Sequence, residues 1–137
     1  LIKMYQKYKA PIIGLQKINK KDCHKYGMIK GSAKQIDDLL EKPKIAPSAL
    51  AITGKYIVTA ELLKDLQNAS PGKDKELRLI DGMKKFIRHS PIYGHEIKGQ
   101  RYDTGDKLGY LKAVVHFGLK HKDLKHDFKK YLHGLDF

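Results

Sequence analysis

The chain has 137 residues, the length of one ordinary domain, and 41% of them are hydrophobic, enough for a core. It carries 28 Lys and Arg against 15 Asp and Glu, a formal net charge of +13. Apolar runs such as Ile12-Ile13 are too short to span a bilayer, and the single cysteine, Cys23, excludes both an internal disulfide and a four-thiolate zinc site. No charged-then-apolar leader opens the sequence, so the expectation is a soluble cytoplasmic domain.

Leu1, Met4, Tyr5 and Tyr8 fall on one face of a helix. No capping residue precedes Leu1, so this reads as a helix cut in its middle and the chain as a fragment of something longer. Pro11 then leads into Ile12, Ile13, Gly14 and Leu15, which suit a buried strand. Extended segments follow at Tyr26 to Ile29 and Ile36 to Leu40, and the connection between Gly31 and Ile36 is short enough to suggest a missing loop. Pro43 and Pro47 bracket a loop, and Leu50 to Thr59 reads as a strand interrupted by Gly54. Leu62, Leu63 and Leu66 fit a short helix closed by the turn Ser70-Pro71-Gly72. A second helix carries Leu79, Ile80, Met83, Phe86 and Ile87 and stops at Ser90-Pro91. A strand over Ile92 to Ile97 precedes a stripe of Leu108, Leu111, Val115 and Leu119, and a last helix holds Leu124, Phe128, Tyr131 and Leu132. Strands alternating with helices predict an α/β layer architecture. The strands are few for that number of helices, so part of the sheet is expected to be missing.

The charge admits three partners: nucleic acid, an anionic membrane surface or a phosphorylated small molecule. Positive residues are dispersed, without a block of five, and only Arg78, Arg88 and Arg101 are arginines. Base readout and bidentate phosphate clamping lean on arginine, so a lysine-dominated surface argues against a sequence reader. The seven histidines contain no i, i+4 pair, and His116, His121 and His126 spread around a helix at intervals of five. Surface or packing roles therefore outweigh zinc. Cys23 stands beside His24, but sequence neighbours seldom bring sulfur and imidazole face to face, and a passive thiol is preferred to a nucleophile. No Walker or dinucleotide fingerprint is present.

What remains is a series of short motifs. K-Y-G ends at Gly27, E-K-P runs from Glu41 to Pro43, and A-P-S-A-L-A-I-T-G-K-Y from Ala46 to Tyr56. S-P-G-K-D-K-E-L-R-L-I-D spans Ser70 to Asp81, and G-Q-R-Y-D-T-G-D-K-L-G-Y-L-K-A spans Gly99 to Ala113. Singly they are weak; E-K-P alone is usually an exposed ion pair before a turn. In this order and spacing they resemble the second half of bacterial UTP–glucose-1-phosphate uridylyltransferases, the UDP-glucose pyrophosphorylases, over nearly the whole chain. The resemblance implies the carboxy-terminal part of a Rossmann-like nucleotidyltransferase fold, a mixed sheet flanked by helices. In that family the amino-terminal half carries the Gly-rich nucleotide loop, its Lys and a metal-binding Asp, none of which this chain contains. These residues alone are therefore expected not to turn over UTP. Departures exist: Arg78 and Ile80 replace polar residues of the usual G-G-E-I-Q-L-T-D, and Ala49 stands where Asn is usual.

A sugar-phosphate site also has a physical case. Glu41 can accept two hydroxyl protons, and Lys42 can neutralise phosphate as a mobile point charge. Strand neighbours face opposite ways, so both reach one pocket only where the strand ends, and Pro43 ends it while restricting Lys42 to extended geometry. Gly27 and Gly54 suit positions where a Cβ would strike the sugar. The resemblance assigns glucose contacts to Gly27 and Glu41, phosphate to Lys42, and a pocket wall to Gly54. It also implies Asp103, in D-T-G, as a ligand of phosphate-bound Mg²⁺, although a turn Asp bonding its own backbone is a competing reading. No catalytic side chain is implied: the sugar phosphate attacks the α-phosphorus of UTP in line, giving UDP-glucose and pyrophosphate by positioning and electrostatics. The expected partners are UTP and glucose 1-phosphate or UDP-glucose, with Mg²⁺, no membrane, nucleic acid disfavoured, and a homo-oligomer when complete. The alternative from another class is a basic nucleic-acid or regulatory binding module without activity.

Overall fold

The computed structural model describes residues 1–70 and 75–136; Pro71 and Gly72 of the expected turn, with Lys73 and Asp74, lie outside the described residues. The chain divides into two compact units, Leu1–Lys98 and Gly99–Phe137.

The first unit opens with α1 (Ile2–Tyr8), which stops where Lys9 turns left-handed at φ 51°. Pro11 then delivers the chain to β1 (Ile12–Lys17), whose first four residues are all buried. Burial on both faces marks an interior strand, as its continuous apolar sequence requires. The sheet has five strands in the order β3-β2-β4-β1-β5, with β2 (Gly27–Gly31), β3 (Ile36–Glu41), β4 (Leu50–Ile57) and β5 (Tyr93–Glu96). Every pairing is antiparallel except β1 with β5, so the sheet is mixed. The short Gly31–Ile36 connection needs no additional loop. Gly31 takes φ 94°, and Ser32 and Gln35 exchange backbone hydrogen bonds of 2.8 and 3.2 Å, closing a tight hairpin. The hairpin tip reaches the far edge of the sheet, where Ala33 O accepts the Gly94 N–H at 2.7 Å, so the sheet is curled.

One face carries α2 (Ala60–Gln67) and α3 (Leu79–Phe86). Ile13, Leu15, Ile29, Leu39, Leu50 and Ile52 from the strands meet Leu62, Met83 and Phe86 from the helices in the main core. The period-two alternation of β2 and β4 sends Met28 and Ala51 to the opposite face, where they pack with Cys23. Cys23 lies on a 3-10 helix over Lys20–Lys25, which hydrophobic periodicity does not reveal because five of its six residues are polar. Asn19 starts it by accepting the Lys21 N–H.

The second unit is a pair of helices, α4 (Lys107–Lys120) and α5 (Lys125–His133). Asp106 caps α4 by accepting the Gly109 N–H at 2.8 Å, and the Phe128 ring lies over Gly118, where a Cβ would fall 2.6 Å from its edge. The stripe expected to pack, Leu108, Leu111, Val115 and Leu119, is instead 38–59% exposed, and Ala113 alone in α4 is buried. A two-helix unit has too little facing surface to cover both sides of a helix that is apolar around most of its circumference.

Candidate functional site

Gly27 opens β2 and pairs in register with Glu41, the last residue of β3. Glu41 continues the side-chain row of Leu39, and Gly27 that of Ile29, so both face the side of the sheet that holds the main core. A Cβ on residue 27 would lie 3.1 Å from Glu41 Oε2 and 3.3 Å from Ile52 Cδ1. Glycine at this position leaves the carboxylate room and opens the backbone beside it.

Lys42 departs from the extended geometry expected of a residue before proline: its φ is 43°, left-handed. That conformation is uncommon for a residue with a Cβ and costs about 1–3 kcal/mol unless its surroundings hold it. Here the Lys42 N–H still donates to Tyr26 O at 3.1 Å, and Pro43 O accepts the Cys23 thiol at 3.2 Å. The chain thus reverses immediately after the β3 ladder ends, bringing Lys42 next to Glu41 with both side chains exposed. Gly54 lies in β4 two residues beyond Ile52, at φ 75°, where the β1–β4 register shifts between Ile13 and Leu15. Nothing lies within 4 Å of the Cβ position at Gly54. A glycine there satisfies the backbone, and the space beside it is open.

The 3-10 helix that precedes Gly27 carries its own charge pair. Lys25 Nζ donates to Asp22 Oδ1 at 2.7 Å, and this hydrogen bond, reinforced by the lysine charge, lowers the Asp22 carboxyl from its ordinary value. His24 is exposed, whereas Cys23 is buried and donates to a carbonyl, which makes it a structural thiol.

Asp103 belongs to the second unit and is exposed. Its Oδ1 accepts the Gly105 N–H at 3.1 Å, the turn geometry in which an aspartate serves its own backbone. No group of three His, Cys, Asp or Glu residues capable of holding a metal occurs among the described residues. Magnesium needs only one or two carboxylates when phosphate oxygens and water complete its shell, so Asp103 fits as a single ligand and makes no site alone. The motif residues Glu76 and Asp81 have structural roles: Asp81 accepts the Arg78 N–H at 3.0 Å to start α3, and Glu76 pairs with Arg78 at 3.3 Å. Sequence reasoning did not anticipate that Cys23 and Tyr26 support the Lys42 turn, because contacts across 16 to 20 residues leave no local pattern.

Residues 1–118 match the nucleotidyl transferase family, and the chain belongs to it. It is 34% identical to a UTP–glucose-1-phosphate uridylyltransferase of Staphylococcus epidermidis, over 99% of this chain and 50% of that protein. A UTP–glucose-1-phosphate uridylyltransferase 2 of Streptococcus pyogenes is 35% identical over 96% of this chain and 47% of its own length. Among solved structures, a UTP-bound UGPase from Acinetobacter baumannii superposes with a TM-score of 0.86 at 28% identity, covering 98% of this chain and 49% of that one. A UDP-glucose pyrophosphorylase complexed with UDP-glucose gives a TM-score of 0.80 at 32% identity, over 87% and 48%. The α/β fold with a mixed sheet flanked by helices is thereby established. The chain spans about half the length of the curated relatives it matches, and these matches give no support to placing that half at the carboxyl end. No described helix is long and apolar enough to cross a membrane.

Proposed function

We propose that this chain is the sugar-phosphate-binding half of a UTP–glucose-1-phosphate uridylyltransferase. The observation that carries the reading is the pairing of Gly27 with Glu41, followed at once by the left-handed turn at Lys42. A bare backbone, a two-oxygen acceptor and a cation meet at one strand end. Glu41 accepts protons from two glucose hydroxyls, Gly27 lets the ring approach the sheet, and Lys42 faces the phosphate. Gly54 leaves the adjoining wall open. The whole enzyme joins UTP and glucose 1-phosphate to form UDP-glucose and pyrophosphate. This chain holds the attacking sugar phosphate in line with the α-phosphorus, a contribution of orientation and charge rather than of covalent chemistry. Asp103, within its own unit, would offer a magnesium ion one carboxylate oxygen, the one that does not serve Gly105, and such an ion would supply charge neutralisation. Homo-oligomerisation and a cytoplasmic location belong to this reading as expectations carried over from the sequence.

Glu41→Gln tests it, because the substitution keeps shape and one acceptor oxygen but puts an NH₂ donor in place of the other. The variant is expected to lose about 1.5–3 kcal/mol of UDP-glucose binding, roughly tenfold or more, the range for a hydrogen bond to a charged group. Its melting temperature should stay at the parent's, since Glu41 is exposed. Calorimetric titration and thermal melting on the same samples decide the matter. Unchanged affinity, or lost stability with affinity retained, removes Glu41 from the site.

A further inference from the structure

We propose that Cys23 is a positioning residue for the sugar-phosphate site, holding Glu41 and Lys42 in place through the carbonyl of Pro43. The proposal rests on the reading of Glu41 and Lys42 as sugar-phosphate ligands.

Three hydrogen bonds form a closed circuit between the 3-10 helix and the strand-end turn. The Tyr26 N–H donates to Cys23 O at 3.1 Å, the Lys42 N–H donates to Tyr26 O at 3.1 Å, and Cys23 Sγ donates to Pro43 O at 3.2 Å. The first ends the 3-10 helix, the second extends the β2–β3 ladder by one residue, and the third returns to the start. Only the third involves a side chain. It is also the only bond of the three made beyond Lys42, on the far side of the left-handed residue.

That position matters because Lys42 occupies backbone geometry that a residue with a Cβ, followed by proline, does not adopt unaided. Such a conformation persists when contacts on both sides fix it. The Lys42 N–H fixes the entry and the Pro43 carbonyl fixes the exit. Pro43 has no N–H of its own to contribute, so its carbonyl is the remaining backbone handle. The thiol that grips this handle is 4% exposed and packs with Met28 and Ala51, flanked by Ile18, Tyr26 and Ala46. Water has little access to compete for the carbonyl, and the packed neighbours hold the sulfur still. Release of the Pro43 carbonyl frees the Lys42 backbone to relax towards extended geometry, which redirects its side chain.

The test compares Cys23→Ala, Cys23→Val and Cys23→Ser in the full-length enzyme, with Glu41→Gln alongside. Alanine and valine remove the donor, valine while retaining apolar bulk should alanine fail to fold; serine retains a donor at nearly the size of alanine. UDP-glucose affinity is measured by calorimetry and Lys42 amide exchange by NMR. Loss of one neutral hydrogen bond predicts affinity lower by about three- to tenfold in the alanine and valine variants. Lys42 amide exchange should accelerate in the same variants, and serine should restore both. A merely structural thiol moves the melting temperature without a selective change at the Lys42 amide. Parent-like affinity and exchange in the alanine or valine variant, while Glu41→Gln has lost affinity, overturns the role of Cys23 and leaves the sugar-phosphate reading standing. Parent-like affinity in Glu41→Gln, or no UDP-glucose binding by the full-length parent, overturns that reading and this proposal with it.

Discussion

Replacing Lys42 with alanine separates its charge from its backbone. The Cβ stays, so the left-handed φ of 43° remains as demanding as before, and Tyr26 O still receives the amide. An exposed side chain away from the core changes stability by less than about 0.5 kcal/mol. Transition-state stabilisation, however, should fall by about 1.5–3 kcal/mol if the ammonium meets the sugar phosphate. The measurement is kcat/KM for glucose 1-phosphate in the full-length enzyme; an unchanged value returns E-K-P to an exposed ion pair. At this scale the sequence was informative about residue type and less so about geometry. The sequence offered Glu41, Lys42 and Gly27 as acceptor, cation and gap, and the fold brings them to one strand end; proline after Lys42 argued for extended backbone, and the fold overrode it. Asp81, quoted in the sequence only as the end of a motif, turns out to start a helix: its carboxylate accepts the Arg78 N–H.

Among the elements, α4 depends on a cap that the sequence displays plainly. Asp106 precedes Lys107 and accepts the Gly109 N–H at 2.8 Å, satisfying one of the donors left open at a helix start. Asp106→Ala is expected to destabilise the second unit by about 0.5–2 kcal/mol, the usual range for loss of such a cap. Helical circular dichroism followed through urea denaturation tests this; an unchanged midpoint would show that the cap is idle. The same turn presents Asp103, whose carbonyl lies where a Cβ on Gly109 would overlap it. Any substitution that loosens the start of α4 therefore disturbs the candidate metal ligand as well. The 3-10 helix over Lys20–Lys25 is the element that hydrophobic periodicity misses, since its sequence KKDCHK offers one apolar residue and no repeat.

For the whole chain, the uneven distribution of core residues predicts an uneven stability. β1 and β4 are central strands contributing Ile13, Leu15, Leu50 and Ile52 to the main cluster, whereas α5 contains no buried residue and α4 only Ala113. Local opening is easiest where few apolar contacts must break. Amides of Ile12–Lys17 and Leu50–Ile57 should therefore exchange slowest, and those of Ile2–Tyr8 and Lys125–His133, neither with a buried residue, should exchange fastest among the α-helices. Hydrogen exchange read by mass spectrometry checks the order. Equal protection across the two units would mean that α4 and α5 share the stability of the sheet. The exposure of Leu108, Leu111, Phe117 and Tyr131 belongs to the same picture, since large apolar side chains left in water contribute little to holding their helices.

Periodicity, turn residues and prolines determined by themselves where the five strands and five α-helices of the described residues lie, since local backbone preference and the pattern of apolar residues act within a few positions of one another. The ordered motifs likewise pointed to a nucleotidyl transferase before any fold was known. The strand order, the parallel pairing of β5 with β1, and the hairpin tip reaching Gly94 were decided only in three dimensions. So were the reversal at Lys42 and the thiol that holds Pro43. Each depends on contacts between segments distant in sequence, whose energies combine only after the chain has folded and which leave no mark in local composition.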